Sequence, residues 1–368
     1  MAIIHLLVIS DVVTDQRVQR TASTLAASGH KIVVVGRRIA LTPTKVKKEY
    51  SVRLLSPLFS KGSLFYLSYN IRAFFYLILK KSDAIYANDL DTLLAASMLS
   101  FIKRIPLIYD SHEIFTELPE LVNRPVKKNM WRFLEKWLVK RVDAAITVSE
   151  SVSKELNRMY GITFVVIRNL PIKKNVSLKE SNTTGKKIVL YQGALNIGRG
   201  LEKLITAMQL LPGVELRIAG IGDIDKRLIE LSRSLELENQ IKFLGRVDPN
   251  QLHHETQKAT IGVSLEEDIS LNYRYALPNK LFDYIQAGLP VLTSNLPEME
   301  KIVSKYNVGQ TINSSCTPSE LSQKLSVMLN NSNQISQWQQ NSLAAAKVLN
   351  WDEEKNKLIE VVRIVLKC

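Results

Sequence analysis

Cysteine is nearly absent from this 368-residue chain: only Cys316 and Cys368 occur. That excludes a disulfide framework and suits a reducing, cytoplasmic compartment. The five histidines are scattered apart from His253-His254, no Cys/His cluster has zinc spacing, and no metal site is expected. No uninterrupted run reaches the roughly 20 apolar residues needed to span a bilayer. The most membrane-like stretch, Ser63 to Leu79, is broken by Asn70 and Arg72. Met1 to Ser10 has no basic start and its apolar run is strand-length, so no secretory signal is expected. Short repeats, heptads and low-complexity tracts are missing, as is any nucleic-acid module signature, so nucleic acid is not an expected partner. Ala219-Gly-Ile-Gly-Asp223 lacks the third glycine of a dinucleotide fingerprint, which argues against a dehydrogenase.

What is present is a composition able to bury sizeable cores, 46% hydrophobic, over a length that fits two domains. Charge is uneven. Residues 1–170 hold 25 Lys/Arg against 14 Asp/Glu, a net of +11 of the chain's +14. A basic first half suits an anionic membrane surface, although the same charge also serves solubility.

Short apolar runs alternate with helical patterns almost throughout. His5–Ser10, Lys31–Val35, Ala84–Ala87, Pro106–Tyr109, Ala144–Val148 and Val165–Ile167 read as strands, separated by helices such as Gln16–Ala27, Leu64–Leu79 and Val126–Lys140. The pattern restarts with Ile188–Gln192, Glu215–Ala219, Ile241–Leu244, Ile261–Leu265 and Pro290–Thr293, and the tail from Pro318 reads as three helices. Apolar runs without strict alternation imply parallel strands covered on both faces. The expected fold class is therefore α/β, with two doubly wound, Rossmann-like domains facing a cleft. Residues 1–170 form the first domain, a polar linker spans 171–187, the second domain spans 188–351, and the last helix, 352–368, returns to the first.

Several strand ends carry polar residues suited to ligands. Gly193-Ala-Leu-Asn-Ile-Gly-Arg199-Gly200 follows a strand and enters a helix, where backbone N–H groups and Arg199 suit phosphate; an ordinary βα turn with a surface Arg fits equally. Gly220 and Gly222 permit close backbone approach to a ligand, and Arg246 and Val247 sit where a nucleobase border is expected. Leu277-Pro-Asn-Lys-Leu-Phe-Asp283 opens a helix with Asn279 and Lys280 in its first turn and Asp283 about one turn on. A cation for phosphate and a carboxylate for sugar hydroxyls suit a nucleotide sugar, while a solvated Lys and Asp are the plain alternative. In the first half, Asp15 and Arg17, Asn88 and Asp89, and Asp110, His112 and Glu113 crowd three strand ends and suggest an acceptor face. His112 is titratable near neutrality and suits a proton shuttle or a hydroxyl contact.

Taken together, Asp83-Ala-Ile-Tyr-Ala-Asn-Asp-Leu-Asp-Thr-Leu93, Leu107-Ile-Tyr-Asp-Ser-His-Glu-Ile-Phe-Thr-Glu117, Ala145-Ile-Thr-Val-Ser149, Arg168-Asn-Leu-Pro171, Tyr191-Gln-Gly193 and Leu277 to Asp283 resemble glycosyltransferase family 4, in consistent order from about Val8 to Asn295. The resemblance implies a GT-B fold, a retaining enzyme, a UDP-sugar or GDP-sugar donor, no cofactor and no metal for the chemistry. It implies that the second domain binds donor and the first binds acceptor. By position, Arg199 matches the family's diphosphate-contacting cation, Asp283 its ribose-contacting second motif acid, and His112 the histidine near the transferred sugar. The first motif acid falls on Tyr275 and a second usual cation on Ala194. Lys280 is the expected replacement for that cation, which makes His112, Arg199 and Lys280 the expected catalytic set.

The expected acceptor is a lipid-linked sugar or a growing surface glycan. The amphipathic segments Leu64–Lys81 and Lys127–Arg141, the latter with Trp131, Leu134, Trp137 and Leu138 among Arg132, Lys136, Lys140 and Arg141, suit either core packing or peripheral docking on the inner membrane face. A nucleotide-sugar 2-epimerase of the same architecture and a noncatalytic nucleotide-sugar-binding subunit are the alternative functions.

Overall fold

The structure is a computed structural model that describes residues 1–38, 49–59, 61–118, 121, 124–173 and 185–367. The chain divides into two compact units: Met1–Asn169 together with the residues from Asp352 onward, and Leu170–Trp351. Most of the expected linker, residues 174–184, lies outside the described residues.

The first unit is a seven-stranded, all-parallel sheet in the order β3-β2-β1-β4-β5-β6-β7. Its strands are β1 (Ile3–Leu7), β2 (Lys31–Arg37), β3 (Ser51–Leu55), β4 (Ala84–Asn88), β5 (Leu107–Ser111), β6 (Ala144–Thr147) and β7 (Phe164–Val166). The helices that concern us are α1 (Gln16–Ala27), α2 (Gly62–Ile78), α3 (Leu90–Lys103), α4 (Pro125–Leu138) and α5 (Glu150–Tyr160). Every residue of β4 and β5 is buried, which is why these strands read as unbroken apolar runs. β1 starts and stops earlier than the apolar run His5–Ser10 suggests, since its pairing with β4 ends at Leu7. Its register pairs Ile4 with Ile32 of β2 on one side and Ala84 of β4 on the other.

The second unit is a six-stranded parallel sheet ordered β10-β9-β8-β11-β12-β13. Its strands are β8 (Lys187–Gln192), β9 (Val214–Ala219), β10 (Ile241–Gly245), β11 (Ile261–Ser264), β12 (Val291–Ser294) and β13 (Gly309–Ile312). Its helices are α6 (Leu201–Ala207), α7 (Asp225–Ser234), α8 (Pro249–Lys258), α9 (Leu271–Arg274), α10 (Asn279–Gln286), α11 (Pro297–Tyr306), α12 (Pro318–Asn330) and α13 (Ser332–Ala346), while the last helix, α14 (Trp351–Leu366), belongs from Asp352 onward to the first unit. Two cores sandwich the sheet. Ile188 and Leu190 of β8 pack with Leu281, Tyr284 and Ile285 of α10. Val189 and Tyr191 point the other way, to Leu204, Met208 and Leu325.

In each sheet the strand order reverses once, between β1 and β4 and between β8 and β11. Loops leaving the carboxyl ends of such a pair diverge and open a crevice, where open α/β sheets bind ligands.

One layer of the first unit has an unusual surface. α3 packs between α2 and α4, and Tyr66 meets Trp131 edge-to-face at 5.5 Å. α4 buries Leu138 but exposes Val126, Met130, Phe133 and Trp137. Leu64, Leu67, Ile71 and Phe75 of α2, with Met98, Phe101 and Ile102 of α3, are exposed too. Thus α4 carries two apolar stripes, one in the core and one outside, with exposed Lys127, Arg132, Lys136, Lys140 and Arg141 around the outer one.

Candidate functional site

At the switch point of the second unit the glycine turn after β8 lies against the loop after β11. Glu267 N–H donates to Gly198 O at 2.9 Å. A Cβ on Gly200 would sit 2.4 Å from Leu265 O, and one on Gly220 would sit 1.8 Å from Gly193 O. Gly220 has φ +153°, so this close approach of two backbones depends on glycine. A Cβ on Gly222 would meet Leu195 backbone at 2.3 Å. The turns are therefore packed together before any ligand arrives.

The loops converge on Glu266, which is fully buried. Its Oε1 accepts from Arg199 Nη1 at 3.1 Å and Lys280 Nζ at 2.9 Å, and its Oε2 accepts from Ser264 Oγ at 2.7 Å. Burial alone would raise the carboxyl, but the charges of Lys280 and Arg199 hold it down at about 2. The Lys280 ammonium lies 4.2 Å from the Tyr191 ring centre, and the Arg199 guanidinium 5.0 Å from that of Tyr273. The Lys280 side chain packs closely over Gly193, its Cε 3.3 Å from where a Cβ would lie there. Lys280 thus reaches the turn that holds Ala194. Arg199 Nε is buried with no hydrogen-bond acceptor. Asp283, half-buried, accepts from Gln192 Nε2 at 3.1 Å, and Thr256 donates to the other end of that amide at 2.9 Å. Arg199, Lys280, Asp283 and the glycines 193, 200, 220 and 222 thus line connected loops. Asn279 is exposed at the start of α10, and Arg246 is exposed beyond β10. Val247 borders a surface cavity of about 760 Å³ with Arg217, Lys242, Gln251 and His254.

The first unit has its own cluster at its switch point. Arg17 on α1 donates Nε and Nη2 to the two oxygens of Asp110, at 2.9 and 2.7 Å, and Nη1 to Ile167 O at 2.8 Å. Tyr86 adds a third bond to Asp110 at 2.8 Å. Asp15 caps α1 through Val18 N–H and accepts from Ser10 Oγ. His112 sits between two carboxylates: Nδ1 is 3.0 Å from Asp89 Oδ2 and Nε2 is 3.5 Å from Asp110 Oδ2. Burial opposes the charged ring, but Asp89 and then Asp110 outweigh it and raise His112 well above the ordinary histidine range. The two carboxylates therefore bias the ring toward its protonated form, in place of the expected titration near neutrality. Asp89 has φ 60° and ψ 167°, a region almost restricted to glycine that costs about 1–3 kcal/mol. Its Oδ1 accepts from His112 N–H at 2.8 Å, which helps hold the strained turn.

Arg17, Asn88 and Asp110, expected on an acceptor face, are buried at 3%, 1% and 0% exposure. The reason is mutual satisfaction: Arg17 and Asp110 pair with each other, and Asn88 Nδ2 donates to Leu7 O at 2.8 Å. Asn88 Oδ1 is buried without a partner. The Glu113 carbonyl accepts from Ser111 Oγ at 2.8 Å. The residue that sequence reasoning missed is Glu266. Tyr275, at the expected first-acid position, follows α9 as a half-buried residue. Among the described residues no group of three or more His, Cys, Asp or Glu side chains could hold a metal ion, and no helix is long and apolar enough to cross a membrane.

Comparison with known proteins agrees with this architecture. Residues 15–170 match the family model "Glycosyltransferase Family 4" and residues 173–344 the model "Glycosyl transferases group 1". The chain is a glycosyltransferase of the family 4 type. It is 28% identical over 198 residues to a glycogen synthase of Mycobacterium tuberculosis, a match covering 51% of this chain and 45% of that protein; the matched region spans under half the length of that curated relative. The fold is shared with sucrose-phosphate synthase from Thermosynechococcus elongatus, at a TM-score of 0.87, 16% identity and full coverage of both chains. It is also shared with Anabaena HepE in complex with UDP-glucose, at a TM-score of 0.80 and 17% identity, covering 98% of this chain and 99% of that one.

Proposed function

We propose that this enzyme moves a sugar from a nucleoside diphosphate sugar, with UDP favoured over GDP, to a hydroxyl of a lipid-linked sugar or growing surface glycan. The observation that carries the reading is the convergence of Arg199 and Lys280 on one buried carboxylate at the second switch point. Neither cation's donors are exhausted by Glu266, since a guanidinium carries five N–H groups and an ammonium three. In this reading both face the diphosphate, the start of α10 adds its dipole, and Asp283 takes the ribose hydroxyls. Negative charge grows on the diphosphate as the glycosidic bond breaks. Preorganised cations stabilise that charge more in the transition state than in the ground state, without a metal ion. His112, held cationic, donates to an oxygen of the transferred sugar instead of removing a proton. The family resemblance supports retention, with the departing diphosphate accepting the acceptor's proton. The UDP-glucose complex of Anabaena HepE supports a uridine donor.

A thermal-shift screen of UDP, GDP and their sugars, with and without EDTA, tests this reading. Ligand binding to the folded state raises Tm by mass action, so UDP or its sugars should stabilise in EDTA. No shift from any nucleotide would refute the donor site, and a shift only with magnesium would refute metal independence. Incubating UDP-N-acetylglucosamine without acceptor separates transfer from 2-epimerisation, since only an epimerase then yields a new sugar nucleotide.

The exposed apolar layer of α2, α3 and α4 supports peripheral docking on an anionic bilayer. Large side chains at Phe75, Phe101, Phe133 and Trp137 are mostly exposed, and basic residues ring them. Arg141 lies 3.9 Å from the Trp137 ring centre, the amphipathic pairing suited to an interface. An enzyme held on a lipid surface meets a lipid-linked acceptor where it resides.

A further inference from the structure

Glu266 marks where the two cations converge but has no role of its own in the reading above, although its charge is fully enclosed in the donor site. Its carboxylate has no exposure to solvent. All three recorded partners, Arg199, Lys280 and Ser264, belong to the walls of that site. Leu265 leads it out of β11 directly beneath Gly200, and Glu267 ties the same loop to Gly198. The chain therefore carries an anion where two cations meet, and both cations touch the same oxygen.

We propose that Glu266 is a positioning residue that acts as a built-in counter-anion: it sets the placement of Arg199 and Lys280 and limits how tightly the departing nucleoside diphosphate is held. The inference rests on the reading that those two cations face the diphosphate. Without Glu266 the pair would present a charge of +2; with it the cluster presents +1. Two unshielded cations would also hold the fully charged diphosphate product more tightly, and its slow release would then limit turnover. A like charge a few ångströms behind the cations weakens the product complex. It does so at effectively constant geometry, because Ser264 and the two cations fix the carboxylate. The unpartnered Nε of Arg199 is a donor that Glu266 leaves unused, in keeping with a guanidinium oriented for a second anion.

The test is Glu266→Gln, which keeps shape and acceptor oxygen while removing the charge. Titration with UDP and GDP should show the variant binding the preferred nucleotide about tenfold or more tightly. Donor KM should fall, and kcat should fall with it as product release slows. Low salt should enlarge the difference. Unchanged or weaker nucleotide affinity in a folded variant would overturn the proposal, because a merely structural role predicts loss and not gain. The double variant Lys280→Met with Glu266→Gln guards against misfolding, since it pairs one remaining cation with a neutral amide. It should recover affinity that Lys280→Met alone loses, and failure to recover any would also overturn the proposal. Arg199→Met is the control. If that substitution leaves nucleotide affinity unchanged, or if neither nucleotide binds the wild type, the donor-site reading itself fails and takes this inference with it. If Arg199→Met weakens binding while Glu266→Gln does not strengthen it, only the counter-anion role is refuted.

Discussion

Replacing Lys280 by methionine is the most direct test of the donor site. Methionine keeps a long unbranched side chain, so the packing against Tyr191 and Gly193 survives while the charge is lost. A hydrogen bond to a charged partner contributes about 1.5–3 kcal/mol, so UDP affinity should fall by about 10- to 150-fold. If the contact strengthens as charge grows on the leaving group, kcat also falls, and the loss in kcat/KM exceeds the loss in binding. Stability provides an internal check. Breaking a buried ion pair outright costs about 3–5 kcal/mol, but Glu266 retains Arg199 and Ser264. The loss should therefore be smaller, about 1–2 kcal/mol by the same reasoning, and the variant should remain folded at room temperature. Calorimetric titration with UDP, alongside a urea melt, reads both quantities. A folded Lys280→Met protein with wild-type UDP affinity would refute the assignment of Lys280 to the diphosphate.

Glu135 on α4 is fully buried and accepts from Tyr109 and Tyr160 at 2.9 and 2.6 Å; burial pushes its carboxyl up to about 7. A carboxyl raised on folding contributes stability below its ordinary value near 4.5 and loses it as pH rises through 7. Glu135→Gln should therefore stabilise by up to about 3 kcal/mol at pH 8 and much less at pH 5; equal gains in urea melts at both pH values would refute this. Gly220→Ala places a methyl group against Gly193 O at a φ that L-residues avoid, so a loss of at least about 2 kcal/mol is expected in the same melts, and a neutral result would contradict the turn packing. Anionic vesicles should sediment the wild type at low salt, whereas a Phe101→Ser, Phe133→Ser, Trp137→Ser variant should stay in the supernatant with unchanged Tm, since burying each aromatic is worth about 1.5–3 kcal/mol; wild type that ignores such vesicles would remove the membrane reading.

The central strands were legible because burial on both faces makes them continuous apolar words. The edge strands β3 and β13 were not, although the opposite edges β7 and β10 could be read from their apolar runs. β3 alternates exposed and half-buried residues from Ser51 to Leu54 before the buried Leu55, and all of β13, Gly309–Ile312, is half-buried. Each pairs on one side only, so neither carries a core-strand composition. The site was legible in part for the same kind of reason. Arg199, Lys280 and Asp283 sit beside turn and helix-start signals that local pattern reveals. Glu266 stands in Leu265-Glu-Glu-Asp268, which reads as a solvated acidic loop; its burial is decided by cations 67 residues before and 14 residues after it. The charge on His112 likewise depends on Asp89, which is 23 residues away; local pattern put Asp89 at a strand end of the same face but could not reveal its contact with the ring.

The last helix leaves the second unit at Trp351 and completes the first from Asp352 onward. There Leu358 and Val362 are buried, and Glu354 accepts from Arg168 N–H at 2.9 Å. On the ribosome, the sheet made of residues 1–169 must therefore wait through roughly 180 further residues for its final apolar cover, about 10–40 s at ordinary bacterial-to-eukaryotic elongation rates. During that interval the second unit, whose segments all lie between the two halves of the first, can finish folding ahead of its elder neighbour. Nascent chains of this protein are thus exposed longest in the part that was synthesised first, and chaperone demand should fall on the amino-terminal sheet.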